Sequence, residues 1–540
     1  MNKNQINLDI SQYDSKERLN EIDFGWYNLE TIKIFRDEFC KNIIPVIKIR
    51  NSVKENKPNI NLAVNIFFKW FSTSLFELFA AVQTKKYLEK NYEKIYTPKK
   101  YDFLEKILKD EIPETKFQNL KNPYLKQNKL EKFFKNLYRT FQLNTFSDFI
   151  NFKKKNDVIL FTEFLGKNIK GNGNLDIYRD LSFYFKNETN NEFPIFDHNN
   201  KLSKENSNQF NLIKNIVQNT FKKLDIDLSK NNLRYIDNLI YHCYLFLNYN
   251  WIKENIPKEL HVGTAGSLAW GKLLCALVIM GGGKVINYEH GRGTILHFFI
   301  QKFFTDLNFS TQFININEKH MIMNKKRYDN LKKFYLLHDF EVDMTQPKND
   351  IKNPFSMRKK IFKKITGEKL KALYVTGAYL GYSASFRPFL PDIHYLKFQT
   401  QVFEFLNEKK IDFYLKPHPG NKSKIPSRLV DYYKLNIQNK KYEEVVDKLD
   451  FDFFILDHLA STTAPHIINY SKPTIYFDFN FTEINNLLKI QFDNSLSIIP
   501  VKQNNKGIFE FNSELFNKFL DNIRHNNHMN WSRDISKFYD

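Results

Sequence analysis

The sequence predicts an α/β protein built from two Rossmann-like domains, and three observations carry that prediction. Short apolar runs of strand character alternate with amphipathic helical stretches along most of the chain. Several of these runs end in loops rich in Gly, Pro or hydroxyl residues, the kind of edge at which open parallel sheets bind ligands. The chain has 540 residues, more than one core usually supports, so two domains are the default.

Taken in order, residues 1–57 read as a charged, helical N-terminal extension. The first domain, 58–350, opens on Asn61–Phe67 as a core strand. A helix from Ser72 to Asn91 follows, with Leu75, Leu78, Phe79 and Val82 near helical spacing. Lys94–Thr97 is then the next strand of a βαβ opening. Residues from about 98 to 235 are rich in Lys, Asn and Phe and read as a mostly helical insertion, with Asp157–Phe164 as a strand and Lys167–Asn174 as a Gly-bearing loop. An amphipathic helix is expected over Asn231–Tyr249. The small-residue turn Gly263–Ser267 opens a helix over Leu268–Met280, which Gly281–Gly283 stops. Lys284–Tyr288 is a strand running into the loop Glu289–Thr294.

Gln346–Lys364 carries prolines and lysines with little apolar periodicity and is the expected linker, which places the boundary near 345–365. The second domain, 351–540, restarts with a strand at Ala372–Thr376. A helix over Tyr395–Asn407 leads to the strand Ile411–Leu415, and one over Tyr442–Lys448 leads to Phe451–Leu456. A helix over Thr463–Tyr470 leads to the strand Pro473–Phe477. The last helix, Ser513–Arg524, is expected to fold back over the first domain.

Bulk properties narrow the class. Hydrophobic residues make up 42% and aromatic residues 16%, which excludes a disordered chain. Three cysteines, Cys40, Cys243 and Cys275, are too few for a disulfide framework and show no metal spacing, which fits a reducing compartment. Cys275 lies in an apolar helical run and reads as core. The net charge of +21 has two readings, an anionic partner or a composition biased toward Lys, Asn, Ile, Phe and Tyr. The lysines are dispersed and no nucleic-acid motif appears, so no nucleic-acid partner is expected. Residues 1–20 lack an apolar signal core, and no window reaches the ~18 apolar residues of a membrane span. The expectation is a soluble, cytoplasmic protein, with peripheral contact at the inner, anionic membrane face as a further possibility.

Three strand ends carry candidate chemistry. Lys416-Pro417-His418-Pro419 follows the Ile411 strand. The flanking prolines restrict the backbone, and an imidazole can donate to a phosphate oxygen. Ser461, Thr462 and Thr463 follow the Phe451 strand and suit either a helix cap or a phosphate at a helix start; Asp457 and His458 would orient that loop. In the first domain, Glu289-His290-Gly291-Arg292 places a residue type suited to general-base work beside a fork that grips anions. A buried structural His with a Gly turn is the alternative. Arg387 or Ser383, after the Ala372 strand, is a further phosphate candidate against an ordinary polar loop. The chain has no metal-ligand cluster, no GxSxG elbow and no P-loop.

His290-Gly291, His418-Pro419 and Ser461-Thr462-Thr463 together resemble motifs of the GT-B glycosyltransferases of bacterial surface-carbohydrate synthesis. That loose group takes in sialyltransferase-like and Kdo-transferase-like enzymes and glycerophosphotransferases. The resemblance covers about residues 263–477. It implies two Rossmann-like domains facing across a cleft and a metal-independent transferase with no cofactor beyond its nucleotide-sugar donor, a CMP-activated acidic sugar. The acceptor would be a surface glycan or glycolipid. Lys416, His418, Ser461, Thr462, Thr463 and Arg387 would hold the donor; His290 would act on the acceptor hydroxyl, with Glu289 and Arg292 as supports. A CDP-glycerol- or CDP-ribitol-type phosphotransferase is the alternative within the group. A basic nucleic-acid-associated protein is the alternative outside it.

Overall fold

The computed structural model describes residues 5–47, 57–98, 101–118, 120, 158–160, 177–178, 193–197, 202–252, 256–263, 269–289, 297–298, 304, 306–315, 318–334, 341–346, 369–382, 390–458, 467, 472–480, 483–484 and 496–525. The first half runs β1 (Gln5–Asn7), α1 (Lys16–Asn20), α2 (Leu29–Ile47), α3 (Ile60–Ile66), α4 (Phe68–Asn91), β2 (Lys94–Tyr96), α5 (Asp102–Leu108), β3 (Val158–Leu160), β4 (Ile177–Tyr178), α6 (Lys204–Lys222), α7 (Lys230–Tyr249), β5 (Glu259–Val262), α8 (Ala269–Met280), β6 (Lys284–Tyr288), β7 (His297–Phe298), β8 (Gln312–Ile314), α9 (Glu318–Phe334) and β9 (Asp343–Thr345). The second half runs β10 (Lys371–Val375), α10 (Asp392–Glu408), β11 (Asp412–Lys416), α11 (Ser427–Tyr432), β12 (Asn436–Ile437), α12 (Tyr442–Lys448), β13 (Phe453–Leu456), β14 (Thr474–Asp478), β15 (Glu483–Ile484), β16 (Leu496–Gln503), β17 (Phe509–Phe511) and α13 (Ser513–His525).

The class is mixed α/β with two parallel sheets. The first has the order β4-β3-β5-β6-β8-β9, parallel throughout. The second has the order β12-β11-β10-β13-β14-β16-β17, and only the β16–β17 edge pair is antiparallel. Numbered along its own chain, the second sheet reads 3-2-1-4-5-6 before that edge. This is a doubly wound order whose direction reverses beside its first strand, β10. Its central strands are fully buried, as parallel strands covered on both faces must be.

Four expectations are corrected. Asn61–Phe67 is helical, not a strand. A buried run of seven residues, apolar but for Asn61 and Asn65, is too short for its period to separate the two readings, and the cap decides it: Asn59 accepts from the Leu62 N–H at 2.8 Å. The two preceding amides donate to side chains of α6, Ile60 to Asn206 at 3.2 Å and Asn61 to Gln209 at 3.0 Å, so the helix start is satisfied. Second, β2 does not extend the main sheet; it pairs in parallel with β1. Third, the region 98–235 is not a helical insertion alone, because β3 and β4 belong to the first sheet. Fourth, the terminal helix stays on its own sheet. Phe516 stacks on Phe405 of α10 at 4.5 Å, and Phe519 meets Phe453 of β13 edge-on.

The N-terminal segment makes the crossing instead. His394 of α10 donates its Nε2–H to the Phe24 carbonyl at 3.0 Å, with burial pulling the ring's pKa down to about 3. Lys16 pairs with Glu404 at 3.0 Å, and Arg428 with Asp14 at 2.6 Å. The docking is close at Gly507, where φ is +78° and a Cβ would sit 2.0 Å from the Phe24 carbonyl oxygen, so only glycine fits. Residues 347–368, which hold most of the expected linker, lie outside the described residues. Among the described residues no single helix is long and apolar enough to cross a membrane. The α3–α4 pair passes that test only jointly, is bent by 86° and is largely buried in the core.

Candidate functional site

The carboxyl edge of the second sheet is level. Val375 pairs with Lys416 on one side and with Leu456 on the other, and Leu456 pairs with Tyr476. The residues just past these positions therefore rise from one line: Gly377 after β10, His418 after β11 and Asp457 after β13. His418 and Asp457 leave the strands that flank β10, two strand spacings or roughly 10 Å apart. The strand order reverses between β10 and β13, the place at which doubly wound sheets bind ligands.

Asp457 sits at that reversal, immediately after β13. Its buried carboxylate accepts from the Gly377 N–H at 2.6 Å, the Tyr374 hydroxyl at 2.7 Å and the Tyr395 hydroxyl at 2.5 Å. Desolvation pushes its pKa up to about 6, against the lowering effect of those three donors. The unfolded carboxyl titrates near 3.8. The folded state thus binds the proton more tightly, so this group's contribution to stability is fully present below about pH 4 and is lost as pH rises from about 4 to 6. The span is worth about 3 kcal/mol at 1.36 kcal/mol per pH unit. Melting curves of the wild type and Asp457→Asn across pH 4–7 should show the wild type alone losing relative stability in that window. A constant difference would mean that Asp457 titrates like an ordinary surface carboxyl.

His418 is half-buried and held in one tautomer. The Gly420 N–H donates to its Nδ1 at 3.0 Å, so the neutral ring carries its hydrogen on Nε2. Pro417 and Pro419 limit the backbone on either side, which is why this bond forms locally. Lys416 donates from Nζ to the Pro417 carbonyl at 3.2 Å, which draws its ammonium toward the same loop. The loops after β10 and β11 are laced together. Tyr379 N–H donates to Asn421 at 2.9 Å, Lys422 N–H to the Tyr379 carbonyl at 2.7 Å, and Asp392 of α10 accepts from both Gly381 N–H and Ser423 Oγ.

At the first sheet's carboxyl edge, Glu289 leaves β6 with its N–H bonded to the Ile314 carbonyl. Its carboxylate is turned inward, 2.9 Å from His320 Nδ1 on α9, and both side chains are essentially inaccessible. Arg327, one further turn or two along α9, feels the same carboxylate. Burial lowers its pKa to about 10 and Glu289 works against that. Asn324 links Arg327 to Asn315, which donates to the Thr345 carbonyl of β9 at 3.0 Å. Glu289 is thus an anchor for the root of the loop that follows it, not a base open to solvent. Beside it, His261 joins Tyr288 at 2.9 Å and Glu259 at 2.7 Å.

His290, Arg292, Arg387, Ser461, Thr462 and Thr463 lie outside the described residues. Strand β7, which comes after β6 in the chain, forms an antiparallel ladder with β15, which follows β14 of the second sheet. Among the described residues there is no cluster of His, Cys, Asp and Glu able to hold a metal ion. Sequence reasoning gave Asp457 an orienting role but missed its partners Tyr374, Tyr395 and Gly377, and it missed His320 and Arg327 entirely. A carboxylate immediately after a run of apolar strand residues was the usable signal for the first group; the second depends on a contact 31 residues apart with no local pattern. Compared with models of known protein families and with curated protein sequences, the chain matches none.

Proposed function

We propose that this chain is a glycosyltransferase of GT-B type, moving a sugar from a CMP-activated acidic donor onto a bacterial surface glycan without a metal ion. The observation that carries the reading is the strand-order reversal between β10 and β13, with Gly377 and Asp457 bonded across it and the Nε2–H of His418 at the end of the adjacent strand. A donor hydrogen bond at a strand end, together with the hydroxyls expected at 461–463, is suited to a nucleotide's phosphate. The leaving phosphate would be neutralised by such donors and by Arg387. The acceptor side would belong to the first sheet, whose β6 loop bears His290, and the β7–β15 ladder supports a cleft shared by both sheets.

A thermal-shift screen of CMP, CDP, UDP and GDP tests this. A nucleotide at about 100 times its Kd stabilises the folded state by about 2.7 kcal/mol. CMP is expected to raise the melting temperature most. A larger response to CDP would redirect the reading to transfer of a polyol phosphate, and no response to any of the four would remove the nucleotide site.

A further inference from the structure

A recess lies on the outer side of the loop that follows β11. Its volume is about 820 Å³, within the usual range for small-molecule sites. One wall is the N-terminal segment with Asp9, Ser11 and Asp14; the other is the loop from Lys422 to Arg428. Both walls are fixed. The Arg428–Asp14 ion pair at 2.6 Å closes one end, Ser423 is tied to Asp392 at 2.7 Å, and Asp9 accepts from the Ser11 N–H at 3.0 Å.

Charge and shape narrow the occupant. Asp14 is neutralised by Arg428 and by Arg18 at 3.3 Å, and Asp9 is engaged by the backbone. Lys422 and Lys424 form no ion pair within 4 Å among the described residues, and the lining, Asp9 and Asp14 against Lys422, Lys424 and Arg428, carries a net charge of +1. Serine hydroxyls and carboxylate oxygens match a ligand bearing many hydroxyls. Ile10, Ile425, Pro98 and Pro426 offer small apolar surfaces for C–H faces. No aromatic ring lines the recess, so a base has nothing to stack on, which argues against a second nucleotide.

We infer that this recess binds an acidic saccharide, with Lys422 and Lys424 meeting its carboxylate or phosphate and the N-terminal segment forming its outer wall. The binding does not depend on the transferase reading above. The test is calorimetric titration of the full chain with trigalacturonate at 0.15 M salt, beside neutral maltotriose and beside CMP. Trigalacturonate is expected to bind at one site and maltotriose not to bind. Lys422→Ala/Lys424→Ala should weaken trigalacturonate at least about tenfold, as loss of charge-assisted bonds does, while Lys440→Ala/Lys441→Ala, a pair of exposed lysines elsewhere on the same half, should leave it unchanged. The proposal is overturned if trigalacturonate does not bind, if both lysine pairs matter equally, or if CMP displaces it. Trigalacturonate binding that depends on Lys422 and Lys424 without any CMP binding would uphold the recess and remove the nucleotide reading alone.

Discussion

His290→Ala is expected to lower turnover by about 10²–10⁴-fold, the usual contribution of a general base, while changing nucleotide affinity by no more than about twofold. The reason is a division of labour between the two sheets. In the proposed enzyme the loop after β6 serves the acceptor, and the donor's phosphate lies at the other sheet. Glu289, one residue earlier, is committed to His320 in the interior, which leaves the neighbouring imidazole as the group for proton transfer. Steady-state kinetics with a saturating donor would check this. A variant that keeps full kcat would move the base elsewhere, and one that loses nucleotide binding would mean that the loop holds the donor.

The opposite split is expected for His418→Ala. Its Nε2–H is preset by the Gly420 bond, so removing the ring deletes a donor already aimed and leaves the fold intact. A hydrogen bond to a charged group is worth about 1.5–3 kcal/mol, which corresponds to about ten- to hundredfold in nucleotide affinity at 1.4 kcal/mol per tenfold. Ser461→Ala and Thr462→Ala should lose less, since backbone N–H groups at a helix start would remain. Equilibrium titration with CMP separates these cases. Wild-type affinity in His418→Ala would place the phosphate away from the β11 edge.

What the sequence made legible was whatever depends on a local period or a local stop. Helices α7, α8, α10 and α12 and strands β6, β10, β11, β13 and β14 were readable within a few residues, because each couples a clear apolar period to a Gly, Pro or polar boundary. Asn61–Phe67 misled because a helix buried on all sides has no polar face to betray its period. Strand order could not be read, since it follows from contacts across the sheet. For the same reason the site at the reversal was visible as two loops but not as the neighbours Gly377 and Asp457. The crossing was assigned to the wrong terminus. The amphipathic last helix is conspicuous in sequence, whereas the N-terminal segment docks through scattered single contacts such as His394 with Phe24 and Gly507 against its carbonyl.

The β7–β15 ladder also bears on timing. It joins two residues from each side, His297–Phe298 with Glu483–Ile484. A handful of backbone hydrogen bonds at about 0.5–1.5 kcal/mol each is a weak latch, small beside the affinity of a micromolar ligand, about 8 kcal/mol. In the proposed transferase, this pairing would have to release before a bulky glycan could pass between the two sheets. The rate of the whole cycle would then be set by how often this short ladder lets go, not by how tightly either sheet is packed.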